Sequence, residues 1–290
     1  MHPAPSIIAF TTLSGIGFGL IIWLGLGAAP DATHLYALIL CLLAAGLVCA
    51  GLLASLLHLG QPTRFLKAFS QWRTSWLSRE AALAMTTLVV FALYAALWVT
   101  GTRFLPLGLF AALLAFKTVF ATAMIYAQMR SVPRWRSVLT PVIFLLFALT
   151  GGALFAGVRG PTPWLLGALG LLQIVAWLWG DRALARSGTT LATATGLGEM
   201  GRPRLLEPPH TGQNYLLKEM VFVVGRRHAA RLRVIGLVLA VVIPLALILP
   251  TEGRLAVWIA ADVHALGALV LRWLFFAQAE HVVGLYYGKR

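Results

Sequence analysis

Eight long apolar runs, separated by short polar segments, leave this chain few folds to choose from. They lie at roughly 6–29, 35–58, 81–100, 104–128, 138–157, 163–181, 233–250 and 255–283. A hydrocarbon layer about 30 Å thick is crossed by about 20 apolar residues in a helix, at about 1.5 Å of rise each. Within that layer every backbone polar group has to be satisfied by the chain itself, and continuous apolar runs of this length do so as helices. The expected fold is therefore an all-α integral membrane protein, a bundle of eight transmembrane helices forming a single membrane domain over residues 1–290. Pro244 interrupts the seventh run, so a neighbouring helix or side chain must take up the carbonyl that it frees. No Lys or Arg precedes the first run, the first in the chain being Arg64, so that run reads as a span and not as a cleaved signal peptide.

Basic residues orient the bundle. Of the 23 Lys and Arg, eighteen lie in the loops after the second, fourth and sixth runs or at the C-terminus. The opposite loops carry Arg103, Arg159 and Arg254, and Lys117 and Arg272 lie within spans. The positive-inside rule then places both termini and the basic loops in the cytoplasm. The formal net charge of +14 is mostly this topology signal, and with no nucleic-acid module in the chain it does not point to nucleic acid as a partner. Cys41 and Cys49 both fall in the second run without CxxC spacing. They read as small buried thiols, and the chain by itself is not expected to ligate a metal, an iron–sulfur cluster included.

What remains is a sparse set of ionisable residues at membrane depth. A charge at the centre of a span costs about 2.5–3.5 kcal/mol on insertion scales, so such residues usually face the bundle interior or a polar cavity. Lys117 falls ~20 Å below the outer end of its helix and Arg272 ~25 Å below the outer end of its own. His58 and Glu80 stand at the cytoplasmic edges of the second and third helices, Glu280 and His281 end the eighth there, and Asp262 and His264 sit nearer the outer face. The loop 58–80 joins His58 to Glu80 through a basic, Trp-bearing stretch. Interconverting a quinone and its quinol moves two electrons and two protons, which calls for an apolar slot and proton-exchanging groups. His58 and Glu80 suit the proton work. Trp72 and Trp76 can wall a ring, while Arg73, Ser75, Ser78 and Arg79 offer donors to a carbonyl. The same residues also have plainer readings. Basic and aromatic side chains are ordinary interfacial anchors, His58 can cap carbonyls, and Glu80 can complement a helix dipole. Lys117 and Arg272 can pair with carbonyls or snorkel.

His58-Leu59-Gly60-Gln61-Pro62 followed by Trp76-Leu77-Ser78-Arg79-Glu80 resembles the membrane-anchor subunit family of dimethyl-sulfoxide-reductase-type molybdenum enzymes. Met124-Ile125-Tyr126-Ala127 leading to Pro133-Arg134-Trp135, and Arg272-Trp273-Leu274-Phe275-Phe276-Ala277, fit the same family, as does the span count. The resemblance implies a haem-free subunit in a bacterial inner membrane. Such a subunit passes electrons between ubiquinone or menaquinone and a ferredoxin-like iron–sulfur subunit on the cytoplasmic side. A molybdopterin catalytic subunit stands beyond that partner. It also implies that His58 and Glu80 are the quinol-site residues, with Trp72, Arg73, Ser75, Trp76, Arg79 and Arg272 as candidate quinone contacts.

The stretch 186–232 is far too long for a hairpin connection. Its Gly, Pro and Arg suit a disordered basic linker, whereas its aromatic and aliphatic residues suit a segment that docks the iron–sulfur subunit. Arg64, Lys67, Arg134, Trp135, His210, Tyr215 and Lys218 are the expected docking residues. The segment resembles the branch of the family associated with cytoplasmic sulfite oxidation, which would reduce quinone, more than the branch that oxidises quinol for dimethyl sulfoxide reduction. Two other classes stay open: a haem-b cytochrome using His58 and His281, and a secondary transporter using Lys117 and Arg272. Against the transporter, Pro244 has no counterpart in the first half.

Overall fold

The computed structural model describes residues 1–29, 32–57, 61–207, 212, 214–221, 227–250 and 253–288, with only the backbone given for 62–65. Its eight long apolar helices are α1 (Pro5–Gly25), α2 (His34–Leu56), α3 (Trp76–Val99), α4 (Leu105–Ala127), α5 (Leu139–Phe155), α6 (Thr162–Asp181), α7 (Ala229–Ile248) and α8 (Arg254–Ala277). Seven of them are long and apolar enough to cross a membrane, and α5, at 17 residues, is shorter. No strand occurs among the described residues. Proline opens α1, α4 and α6, where its missing N–H costs nothing, and Thr33 caps α2 by accepting the Tyr36 N–H at 3.3 Å.

Helix α1 is the hub, packed against α2, α4, α5 and α8. Small residues make this possible, as lipid gives helices no hydrophobic reason to associate and close packing has to supply it. A Cβ on Gly19 would stand only 1.7 Å from the Ala148 carbonyl oxygen of α5, so α1 and α5 touch backbone to backbone. Buried hydroxyls along α1 satisfy themselves on their own helix, Ser14 donating to the Phe10 carbonyl at 2.6 Å. Both chain ends lie at the same end of the bundle. The Met1 amine donates to the Ala279 carbonyl at 2.7 Å, and the Val282 N–H donates to the Ser131 carbonyl at 2.9 Å.

At the break in α7, the chain passes through a π-helical turn, Val238–Val242, before Pro244. Pro244 has no N–H to give to the Ala240 carbonyl one turn earlier. His264 of α8 occupies that role, with Nδ1 2.7 Å from the Ala240 oxygen. The neighbour required by the sequence is therefore a histidine, and it lies wholly inside the bundle rather than toward the outer face. Gly267, one turn along α8, lets the two helices approach, since a Cβ there would fall 2.2 Å from the Ala240 nitrogen.

Three expectations need correcting. Helix α3 starts five residues before position 81, because Ser75 is already the extended N-cap residue (φ −106°, ψ 126°). Helix α8 stops at Ala277 rather than running to 283, because His281 turns extended and accepts the Val283 N–H to open a 3₁₀ helix, Val282–Tyr287. Of the two cysteines, Cys41 is buried but Cys49 is exposed on α2.

His264→Leu leaves the Ala240 carbonyl buried without a donor and is expected to cost about 1–3 kcal/mol of stability. Adding Pro244→Ala supplies the missing N–H from the helix itself, so the double variant should recover most of that loss in thermal melts. Equal losses in the single and double variants would contradict this account.

Candidate functional site

Because α3 begins early, Glu80 stands in the second turn of the helix and not at its edge, and its side chain points into the bundle, 5% exposed. The carboxylate accepts the hydroxyl of Thr122 on α4. Further along the same two helices, Thr87 and Thr118 are 3.1 Å apart, so a polar seam joins α3 and α4 at hydrocarbon depth. Tyr126, one turn on from Thr122, continues that side of α4 into a cluster of aromatic rings. Its ring centroid lies 5.3–5.7 Å from those of Trp135, Phe144, Phe275 and Phe276. Sequence reasoning missed Thr122 and Tyr126, although Thr118, Thr122 and Tyr126 recur at the four-residue spacing of one helix face.

The mouth of the site is built by the turn before α3. Arg79 folds back to donate to the Trp72 carbonyl at 3.0 Å and to the Arg73 carbonyl at 2.6 Å. Its guanidinium also lies 4.5 Å over the Trp76 ring, and Trp76 meets Phe120 of α4 edge-on at 6.0 Å. Trp76 and Arg79 thus line the approach beside Glu80 as one unit. Ser75 and Trp76 are half-buried, Ser78 is buried, and Trp72 and Arg73 are exposed on the same basic turn. His58 lies outside the described residues, and the preceding helix ends at Leu56.

Arg272 belongs to a different cavity. It lies between α5, α6 and α8, with its guanidinium 3.6 Å over Phe144, a ring that Tyr126 also touches. Lys117 points outward from α4, on the exposed face with Phe116 and Phe120.

Of the residues expected to dock a partner, Lys67, Tyr215 and Lys218 are exposed at the basic end. Arg134 is mostly covered and pairs with Asp181 at 2.5 Å, while His210 and the side chain of Arg64 lie outside the described residues. Trp135 is inside the bundle rather than on a docking face. It is 2% exposed, stacks on Phe275 at 5.3 Å and donates its indole N–H to the Phe275 carbonyl at 2.9 Å. The segment after α6 forms short helices, Ala183–Arg186, Leu191–Thr195, Gly198–Met200 and Tyr215–Met220. The C-terminal 3₁₀ turn ties them down, Tyr286 donating to the Ala194 carbonyl at 2.7 Å and Asn214 to the Tyr287 hydroxyl at 3.1 Å. His281, at the start of that turn, is held below the usual histidine range by burial and then by the charged N-terminal amine. Among the described residues no group of three or more His, Cys, Asp or Glu side chains could hold a metal ion.

Seven span-length apolar helices with the short α5 packed among them, and a buried carboxylate at the basic end, define a multi-pass membrane protein. The family model of the DMSO reductase anchor subunit (DmsC) matches residues 1–288. One of the three kinds of subunit named for the sulfite dehydrogenase of Allochromatium vinosum, the one lettered C, is 32% identical over 325 aligned positions, covering 99% of each chain. The chain belongs to the DMSO reductase anchor subunit family.

Arg79→Ala removes two hydrogen bonds and a cation–π contact that close the turn, and is expected to speed tryptic cleavage at Lys67 and Arg73 several-fold in membranes. Arg79→Lys should not restore protection, since an ammonium lacks the planar fork that reaches two carbonyls while lying on a ring. Unchanged cleavage in both variants would contradict the assigned role.

Proposed function

We propose that this chain is the quinone-reactive membrane anchor of a molybdenum and iron–sulfur oxidoreductase, exchanging electrons between the quinone pool and a cytoplasmic partner. The observation that carries the reading is Glu80. It is a carboxylate 5% exposed at the basic end of the bundle, supported by one threonine hydroxyl and reached past Trp76 and Arg79. A carboxylate in that position needs a reason, because desolvation makes its charge expensive. Proton exchange with a substrate that enters from the lipid supplies one.

A quinone is the substrate class that fits. Its reduction takes up two electrons and two protons, and its ring is flat and apolar with carbonyls at its edges. Trp76 and Phe120 offer ring surface on the lipid side of α3 and α4. Trp72, Arg73 and Ser75 line the same turn with further ring surface and donors. Glu80 gives and accepts the proton inside the bundle, with Thr122 holding its carboxyl oriented. His58, next to the end of α2, is assigned to the second carbonyl, with its imidazole as donor near neutral pH.

The remaining parts of the reading rest on composition and kinship. The chain crosses an inner membrane eight times, with α5 as the short span, and its basic end faces the cytoplasm by the positive-inside rule. The exposed Lys67, Tyr215 and Lys218 on that end receive a ferredoxin-like iron–sulfur subunit, and a molybdopterin subunit beyond it carries the oxyanion chemistry. Similarity along 99% of both chains to a sulfite dehydrogenase subunit favours sulfite oxidation with electrons delivered to quinone. Clusters and molybdenum belong to those partners, as this chain offers only two cysteines, both on α2.

In the assembled complex, Glu80→Gln and His58→Ala are expected to lower quinone-linked turnover at least a hundredfold while leaving turnover with a soluble artificial acceptor within twofold of the wild type. Wild-type quinone reduction by either variant would remove that residue from the site, and by both would overturn the reading.

A further inference from the structure

Arg272 is a buried cation with no counter-ion among the described residues. It is 5% exposed, sits five residues before the end of α8, and makes no hydrogen bond or ion pair with any described residue. Its guanidinium lies over Phe144 at 3.6 Å, with Phe147 at 5.2 Å and Phe275 at 6.0 Å. Those rings satisfy the faces of the group but not its N–H donors, which point outward in its plane and still call for acceptors. In a membrane interior an unanswered guanidinium is among the most costly groups a chain can carry.

The residues lining the cavity beside it bring donors and no carboxylate. Arg134, Thr140, Phe144, Gln173, Trp177 and Arg272 line a space of about 50 Å³ between α5, α6 and α8 that opens toward the basic end. Gln173 is 9% exposed and has no hydrogen-bond partner among the described residues. Arg134 gives one terminal nitrogen to Asp181 at 2.5 Å and leaves its Nε buried and unpartnered. Asp181 is in turn shared with Arg233 at 2.6 Å, and it does not line the cavity. The carboxylate that pairs with Arg134 is thus already divided between two arginines.

We propose that this cavity binds the phosphodiester of a membrane phospholipid, its anionic oxygens on Arg272 and Gln173 and its acyl chains along the α5–α6 surface. Depth supports the assignment. Five residues place Arg272 about 8 Å inside the helix end, within the interfacial layer where phosphates and ester carbonyls lie. Size supports it too, because the inner space takes anionic oxygens with a water molecule but not a quinone ring. The exposed Trp179 and the half-buried Trp177 on α6 flank the mouth, as tryptophans do at a headgroup layer. The site stands apart from Glu80, and the proposal holds whether or not quinone reacts there.

The test uses the whole complex, stripped of lipid in a neutral detergent and titrated while its thermal midpoint is followed. Phosphatidylglycerol should raise the midpoint of the wild type at low occupancy, and the apparent affinity should fall at least tenfold in Arg272→Gln and recover in part in Arg272→Lys. Diacylglycerol, which lacks the phosphate, and millimolar inorganic phosphate, which lacks the chains, should not raise it. If Arg272→Gln does not assemble, Gln173→Leu provides the same comparison. Equal protection of wild type and variants by phosphatidylglycerol would overturn the proposal. Protection by inorganic phosphate alone would overturn it in favour of a free-anion site, and displacement of the lipid by a short-chain quinone would return Arg272 to quinone binding.

Discussion

A hydrocarbon layer supplies no hydrogen bonds, so each polar group that this chain carries into the bundle has to find its partner there. The architecture follows from how those needs are met. Pro244 frees the Ala240 carbonyl and His264 takes it, which fixes where α8 lies against the π-helical turn of α7. Glu80 is met by Thr122, which ties the basic ends of α3 and α4 together. Trp135 is met by the Phe275 carbonyl, so the loop after α4 is drawn into the bundle and closes the aromatic cluster around Tyr126. Arg272 alone of these is answered only by ring faces.

Function enters where that rule is only partly obeyed. Glu80 has one described donor for a group able to accept several hydrogen bonds, and it stands beside a turn whose shape is held by Arg79. Arg272 has no acceptor among the described residues. The two sites lie in separate places, one at the α3–α4 seam and one among α5, α6 and α8, although Tyr126 and Phe144 bring their surroundings into contact. A bundle built this way keeps its proton-active carboxylate and its unpaired cation apart, where a salt bridge between them would have silenced both.

Much of the fold was legible in the sequence because the signal is long. Apolar runs of about 20 residues need no partner to be recognised, and their limits were right to within a few residues wherever a proline or a capping threonine marks the end. The boundaries that moved, at α3 and α8, are those where Ser75 and His281 act as caps inside otherwise continuous patterns. Which face a polar residue presents was much less legible. Trp135 reads as interfacial by type and place, yet a carbonyl reachable only in the folded bundle holds it inside. Arg272 and Glu80 read as one set because both approach the basic end, and only the arrangement of α5, α6 and α8 separates them. Thr122 carried a signal in its spacing with Thr118 and Tyr126, but a threonine in a span usually bonds its own helix, and the carboxylate that claims it lies 42 residues away.

The most direct measurement of the central claim is the molybdenum and iron content of the complex that co-purifies with this chain in mild detergent. The account predicts both metals, in fixed proportion to the chain, with the clusters reduced by substrate and reoxidised by added quinone. A preparation that demonstrably keeps its partner subunits and contains neither metal would contradict it.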